Sequence, residues 1–177
     1  MKHALHKKIS RFVAWFCSLY SEPSTSRHDK EIIGFTCGAF DLLHAGHIMM
    51  LKEASEQCDY LVVGLQYDPS VDRPEKNKPV QSYQERTVVL KSVKYVDKVV
   101  FYETESDLVK LLCDLQPDVR IIGFDWKGKQ FTGSNLPIKL YFNSRDHSWS
   151  TSDLRDRIFV SEVRKRIQNE EEEINKE

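Results

Sequence analysis

The chain has 177 residues, of which 40% are hydrophobic and 30% are charged. This composition is typical of one globular domain with its own core and excludes fibrous and wholly disordered classes. The 26 Lys and Arg residues nearly balance the 27 Asp and Glu residues, so we expect no nucleic-acid partner. No apolar run reaches the roughly 18 residues of a membrane-spanning helix, and we expect a cytoplasmic location.

The first 30 residues differ from the rest because six basic residues stand there against two acidic ones. Apolar residues between Leu5 and Tyr20 follow a helical repeat, and Pro23 with its Ser and Thr neighbours predicts a linker. Three interpretations stay open: a helix packed on its own domain, a weak membrane-surface contact through residues 1–20, or a secretory signal. We divide the chain into an extension (1–30), a domain (31–160) and a charged C-terminal helix or tail (161–177).

Strand-like and helix-like segments alternate from residue 31 onward. Strands are predicted at 32–36, 60–65, 98–101, 119–123 and 138–142, and helices at 48–57, 83–92, 107–115 and 150–168. The polar stretch 68–79 carries three prolines and predicts a surface loop. Buried strands separated by helices favour an α/β, Rossmann-like, doubly wound parallel sheet with helices on both faces. Ligands bind beyond the carboxyl ends of such strands.

The loop after the first strand has the sequence Gly-Ala-Phe-Asp-Leu-Leu-His-Ala-Gly-His, residues 38–47. It leads into a helix, whose first turn has free backbone N–H groups and a partial positive charge that favour an anion. His44 and His47 add directional donors there, or full charges if protonated. Gly38 permits a tight turn, and Gly46 leaves room for a phosphate. The pattern predicts stabilisation of a phosphoryl group under attack.

This segment closely resembles the GxFDxxHxGH signature of the cytidylyltransferase-like nucleotidyltransferases. Residues 59–63, 95–99 and 123–129 extend the resemblance, which is greatest to the glycerol-3-phosphate cytidylyltransferase branch. It implies that CMP passes from CTP to an alcohol phosphate such as glycerol 3-phosphate, and that pyrophosphate leaves. ATP as the donor stays an alternative, as does a module that binds nucleotide without turnover. Mg²⁺ accompanies the triphosphate, and the resemblance implies a homodimer through Tyr95, Val96 and Asp97.

The resemblance also assigns the site residues. The expected catalytic residues are His44, His47, Lys76, Lys78 and Arg145, and we cannot choose between the two lysines. The expected nucleotide-binding residues are Gly38, Phe40, Asp41, Gly46, Arg86, Lys94, Asp125, Trp126, Ser150 and Thr151. Since the reaction needs positive groups on the phosphates far more than it needs a base, these residues suit it.

Some of these residues have simpler interpretations. Asp41 either approaches Mg²⁺ or caps a turn, Ser150 is also a plausible helix cap, and Arg86 suits a surface helix. The 145–152 stretch departs from the family pattern at Ser148, where the family has glycine, so a positive φ there would be strained. Lys94 stands where the family has an arginine that contacts cytosine, and a lysine cannot make those paired contacts.

Overall fold

A computed structural model of the protein describes residues 31–175. The extension 1–30, with its predicted basic helix, lies outside the described residues. The strands are β1 (Ile33–Gly38), β2 (Tyr60–Gln66), β3 (Lys98–Tyr102), β4 (Val119–Gly123) and β5 (Lys139–Asn143); the helices are α1 (Ala45–Ser55), α2 (Tyr83–Lys91), α3 (Glu105–Leu115) and α4 (Thr151–Ile174). All strand pairs are parallel, in the order β3-β2-β1-β4-β5.

Helices cover both faces of the sheet, which confirms the predicted fold class. Leu51 and Ala54 of α1 share one apolar cluster with Leu90 of α2. Leu108 and Leu112 of α3 belong to a second cluster, with strand residues of alternate parity. Because successive side chains of a strand point to opposite faces, α1 and α2 pack on one face and α3 packs on the other.

Helices α1 and α3 begin a few residues before their predicted starts, because side chains cap their first turns. Thr104 accepts a hydrogen bond from the backbone N–H of Asp107, whose carboxylate returns the bond. Ser82 and Glu85 form the same reciprocal box at α2, and such boxes satisfy N–H groups that have no partner within the helix. The predicted loop 68–79 contains no helix or strand.

The last helix continues six residues beyond its predicted end and crosses residues 160 and 161, the expected domain boundary, without a break. None of its residues is buried. Within residues 31–175, no helix is long and apolar enough to cross a bilayer.

The sheet order places the functional region. The chain passes from β1 to β2 on one side and reaches β4 on the other side. Ligands of open parallel sheets bind beyond the carboxyl ends of the strands at such a reversal. The loops after β1 and β4 therefore face the same edge, as the sequence predicts.

Gly34 of β1 provides a test of the packing between the sheet and the segment that follows α1. A Cβ atom at this position would lie 2.4 Å from Sγ of Cys58. We expect Gly34→Ala to lower the free energy of unfolding by about 1–3 kcal/mol in a urea titration, since overpacked cores rearrange at that cost. Gly123→Ala is the control because the nearest atom lies 3.9 Å away. Adding Cys58→Ala should recover part of the loss; equal stability of both glycine variants would contradict the contact.

Candidate active site

His44 and His47 cap the start of α1 reciprocally. Nδ1 of His44 accepts a hydrogen bond from the backbone N–H of Gly46 at 3.1 Å, and Nδ1 of His47 accepts one from the backbone N–H of His44 at 3.3 Å. The two rings lie 4.0 Å apart between centroids. The spacing His-x-x-His therefore does here what Ser-x-x-Glu does in an ordinary capping box.

This arrangement defines the protonation of both rings. An imidazole whose Nδ1 accepts a hydrogen bond carries its proton on Nε2 when it is neutral. Burial, followed by the neighbouring His44, lowers the pKa of His47 to about 4. Burial, followed by the charges of His147, Arg145 and Arg157, also lowers the pKa of His44. At neutral pH both rings are therefore uncharged Nε2–H donors, and not the full charges that the sequence left open.

Nε2 of His44 already has a partner at the start of α4. It lies 3.3 Å from Oγ1 of Thr151, which in turn lies 3.5 Å from the backbone carbonyl of Asp41. Ser150 caps α4, since its hydroxyl accepts from the backbone N–H of Asp153 at 3.1 Å. The structure thus brings Thr151 and His44 together, while the Ser150 hydroxyl is engaged as a cap.

The space above Gly46 is filled by imidazoles. A Cβ there would lie 2.7 Å from Cε1 of His147 and 3.0 Å from Cε1 of His44. The His147 ring stacks on Trp149 with 5.2 Å between centroids. Glycine is thus required at this position by the two rings; a phosphate approaching the backbone here needs His147 to move.

Asp41 is the centre of a polar clamp. Its buried carboxylate accepts from the backbone N–H groups of Val80 and Gln81 at 3.0 and 2.9 Å and pairs with Arg155 at 2.6 Å. Burial would raise the pKa of Asp41, but these N–H groups and Arg155 hold it below its ordinary value. Of the two roles predicted for Asp41, the structure shows the organisation of a turn.

The lysine loop is attached to this clamp at its C-terminal end. Arg155 donates to the backbone carbonyl of Lys78 at 2.8 Å through the same Nη2 that contacts Asp41. The backbone N–H of Lys76 instead bonds to Arg73 at 2.8 Å, and Nη2 of Arg73 bonds to Oε1 of Gln66 at 2.8 Å. Both lysine side chains are exposed, and Lys78 belongs to the segment that Arg155 holds next to Asp41.

Arg86 does not lie on the surface, because only 2% of it is exposed. Its guanidinium donates to the backbone carbonyls of Ala39, Gln66 and Tyr67 at 2.6–2.8 Å, and to that of Gln81 at 3.3 Å. The interpretation as a surface arginine is wrong. Every nitrogen of the group donates to a backbone carbonyl, so Arg86 holds together the segments that carry the site. Its role as a nucleotide ligand stays a prediction.

Backbone strain lies within the signature loop but not at its glycines. Phe40 and Leu42 adopt φ values of 49° and 48°, which are uncommon for residues with bulky side chains. Phe40 is 4% exposed and its ring lies 5.5 Å from that of His47, so it forms a wall behind the imidazole. Gly38 and Ser148 have no positive φ, so the strain expected at Ser148 does not occur.

The loop after β4 reaches the loop after β5. Asp125, in a short turn of 3-10 helix, forms an ion pair with Nη1 of Arg145. Trp126 packs edge-on against Phe131 and remains 37% exposed. The structure therefore brings Asp125 and Arg145 together, and an incoming phosphate has to compete with the carboxylate for Arg145.

Lys94 is the expected nucleotide ligand that the structure does not bring to the site. It lies in the turn before β3, at the amino ends of the strands, whereas the histidines follow the carboxyl end of β1. Its ammonium group lies over the ring of Tyr95. Within one chain the length of the strands separates Lys94 from His44, and its role as a nucleotide ligand stays a prediction. The homodimer contact through the neighbouring segment stays a prediction.

No group of three or more metal-ligating side chains occurs among the described residues. The Asp41 carboxylate, the expected approach to Mg²⁺, is occupied by two N–H groups and Arg155. These residues do not form a metal cage of their own.

Sequence reasoning missed three residues of the site: Gln81, His147 and Arg155. Oε1 of Gln81 accepts from the backbone N–H of Leu42 at 2.7 Å. Of the three, only His147 could have been found from the sequence, because it precedes Ser148, where the chain differs from the family signature. The contacts of Gln81 and Arg155 join segments far apart in sequence, which no local pattern reveals.

The comparison with known proteins is consistent with this geometry. The family model described as cytidylyltransferase-like matches residues 35–166. The chain belongs to the cytidylyltransferase-like family. The matched range contains every expected site residue.

The chain also has relatives with substantial sequence identity. It is 40% identical over 116 residues to the "Bifunctional protein HldE" of Campylobacter concisus, and 37% identical over 135 residues to that of Helicobacter pylori. These matches cover 65% and 76% of the chain but only 24% and 29% of the relatives. A solved structure, a lipopolysaccharide core biosynthesis protein of Thermoplasma volcanium, is 26% identical with a TM-score of 0.57, covering 67% of this chain and all of that one.

The clamp around Asp41 predicts a large difference between two ion pairs that both involve α4. We expect Asp41→Asn to lower the free energy of unfolding by about 2–4 kcal/mol, because it removes the charge that Arg155 and two N–H groups face. Asp153→Asn breaks the exposed pair with Arg157 and should change stability by less than about 0.5 kcal/mol. Urea titrations of both variants measure this, and equal effects would show that Asp41 is no clamp.

The pKa of His47 predicts how stability depends on pH. In the unfolded chain a histidine titrates near pH 6.5, whereas folded His47 stays neutral down to about pH 4. Between these values the unfolded chain binds the extra proton, so stability falls as the pH falls through this window and is unaffected above it. His47→Gln keeps a capping acceptor and should lose less melting temperature than the wild type between pH 7.5 and pH 5. Parallel losses would contradict the neutral ring.

Proposed function

We propose that the chain is a nucleotidyltransferase that transfers a nucleoside monophosphate to the phosphate of a small phosphorylated sugar. ATP is the preferred donor in this proposal, and pyrophosphate is the second product. The observation that carries it is the pair of neutral imidazoles that cap α1. They present Nε2–H donors at the edge where the sheet order reverses, within the family signature.

The reaction that these groups suit is an in-line displacement at phosphorus. An oxygen of the acceptor phosphate attacks the α-phosphorus, and the bond from that phosphorus to the bridging oxygen of the β-phosphate breaks. The electron pair of that bond leaves with pyrophosphate. The acceptor phosphate is already ionised at neutral pH, so no general base is needed, and catalysis comes from positioning and charge stabilisation.

His44 and His47 stabilise the α-phosphate in this scheme. Their Nε2–H groups donate to its non-bridging oxygens as negative charge grows there. A phosphate oxygen replaces Oγ1 of Thr151 as the acceptor for His44. Neutral donors suit this role because their geometry is preset by the backbone and costs no reorganisation during the reaction.

Positive charge for the leaving pyrophosphate comes from other segments. Arg145 carries two parallel N–H groups suited to phosphate. When the nucleotide binds in this scheme, the guanidinium of Arg145 leaves Asp125 and pairs with the phosphates. Lys78 is the preferred loop lysine because Arg155 holds its backbone beside Asp41. Mg²⁺ accompanies the triphosphate as its counter-ion in this proposal.

Two findings support ATP over CTP as the donor. Lys94 stands where the family has an arginine that contacts cytosine, and a lysine cannot make those paired contacts. Relatives of 36–40% identity include several named bifunctional protein HldE, whose C-terminal domain is an adenylyltransferase. The similarity to the Thermoplasma volcanium lipopolysaccharide core biosynthesis protein supports a sugar phosphate as the acceptor. CTP with glycerol 3-phosphate is the second candidate, favoured by the run Asp125-Trp126-Lys-Gly-Lys.

A pyrophosphate-release assay tests the proposal. ATP and CTP are each paired with a panel of sugar 1-phosphates and with glycerol 3-phosphate. We expect turnover with ATP and a sugar phosphate, and a loss of kcat of about 10²–10³-fold in His44→Ala, the range seen when one preorganised donor is removed. Lys110→Ala, an exposed change on α3, is the control and should keep full activity.

The outcomes separate the alternatives. Turnover only with CTP and glycerol 3-phosphate would support the second candidate. Tight ATP binding in calorimetry without pyrophosphate release from any pair would indicate a nucleotide-binding module. Unchanged turnover in His44→Ala would show that the imidazoles do not act on the phosphate.

A further inference from the structure

Helix α4 leaves the body of the protein after its first two turns. Thr151 and Arg155 contact the site, but every residue from Asp156 to Asn175 is exposed. Six large apolar residues on this free part are exposed, and four of them form one stripe: Val160, Val163, Ile167 and Ile174, at 43%, 37%, 51% and 73%. Isolated helices of this length are only marginally stable in water, and an exposed apolar stripe indicates a partner.

The spacing of the stripe is that of a coiled coil. Val160, Val163, Ile167, Glu170 and Ile174 follow one another at intervals of three, four, three and four residues. This is the a/d repeat of a heptad, with one polar member at Glu170. The flanking e and g positions carry Arg164 and Arg166 first, then Glu171 and Glu173.

We propose that α4 pairs antiparallel with α4 of a second copy of this chain. A basic block followed by an acidic block on one helix is self-complementary when two copies run in opposite directions. Each copy then offers its arginines to the glutamates of the other, as a two-fold interface requires. The basic extension 1–30 is a poorer occupant, because it would also meet Arg164, Lys165 and Arg166.

One register pairs the charges together with the seam positions from Val163 to Ile174, and Val160 then lies outside the paired part. With Ile167 opposite Glu170 of the second copy, Val163 lies opposite Ile174 of that copy. The same alignment pairs Arg164 with Glu171 and Arg166 with Glu173 across the seam, each twice by symmetry. Parallel pairing in register would place the two Glu170 carboxylates against each other, and like charges in a seam destabilise it. A single polar seam position thus selects the antiparallel arrangement.

This interface differs from the contact through Tyr95, Val96 and Asp97 that the family resemblance implies. The α4 interface lies on the same helix whose first turns supply Thr151 and Arg155 to the candidate site. The inference does not depend on which reaction the site performs.

Charge exchange in the full chain tests the pairing by sedimentation velocity. We expect the wild type to associate through α4 into a complex of two copies, and into a larger one where the contact through Tyr95, Val96 and Asp97 forms as well. Arg164→Glu/Arg166→Glu and Glu171→Arg/Glu173→Arg should each raise the dissociation constant on the order of 10- to 100-fold, since attractive pairs become repulsive. An equimolar mixture of the two variants should recover a complex of two copies. Lys165→Glu, an outward-facing reversal, is the control and should not change association.

A second measurement tests the direction of the helices. Val163→Cys/Ile174→Cys should form a disulfide-linked pair on a non-reducing gel, whereas Val163→Cys alone should not exceed the wild-type background. A single-copy wild type up to about 100 μM, a mixture that stays single-copy, or efficient linkage by Val163→Cys alone would overturn the proposal. Loss of association on deletion of residues 1–30 alone would also overturn it, since it would make the extension the occupant.

Discussion

The carboxylate of Asp41 joins the parts of the protein that form the candidate site. It lies in the strained loop after β1, holds the backbone at Val80 and Gln81 beyond the lysine loop, and pairs with Arg155 of α4. Three segments far apart in sequence thus meet at one buried charge. A buried carboxylate is costly unless it is fully paired, so these segments either assemble together or leave an unpaired charge behind.

The two imidazoles depend on the same frame. Their mutual capping uses the backbone N–H groups of His44 and Gly46, and this occupies one nitrogen of each ring. Burial lowers the pKa of both rings and keeps them neutral. They therefore offer oriented N–H donors and no positive charge. Phe40, in its left-handed conformation, forms the wall behind His47. In the proposed reaction, the exposed side chains of Lys78 and Arg145 supply positive charge to the triphosphate.

Helix α4 connects the site to the outside of the molecule. Its first turns contribute Thr151 and Arg155, and its remaining turns form an exposed apolar and charged surface. Arg155 joins this helix to Asp41 and to the carbonyl of Lys78.

The amino-acid sequence by itself determined the fold class, the order of the elements and the position of His44 and His47 at a helix start. These features follow from local patterns: apolar runs of strand length, helical periodicity and a signature between them. Tertiary structure alone decided what the charged residues do. Arg86 suited a surface helix by local rules but is buried against four carbonyls, and Lys94 lies at the opposite ends of the strands from the histidines. Gln81 and Arg155 carried no signal, because their partners are 39 and 114 residues away. Contacts between residues so far apart in sequence form only when the loops come together at the sheet edge. The periodicity of a single segment does not predict which loops come together.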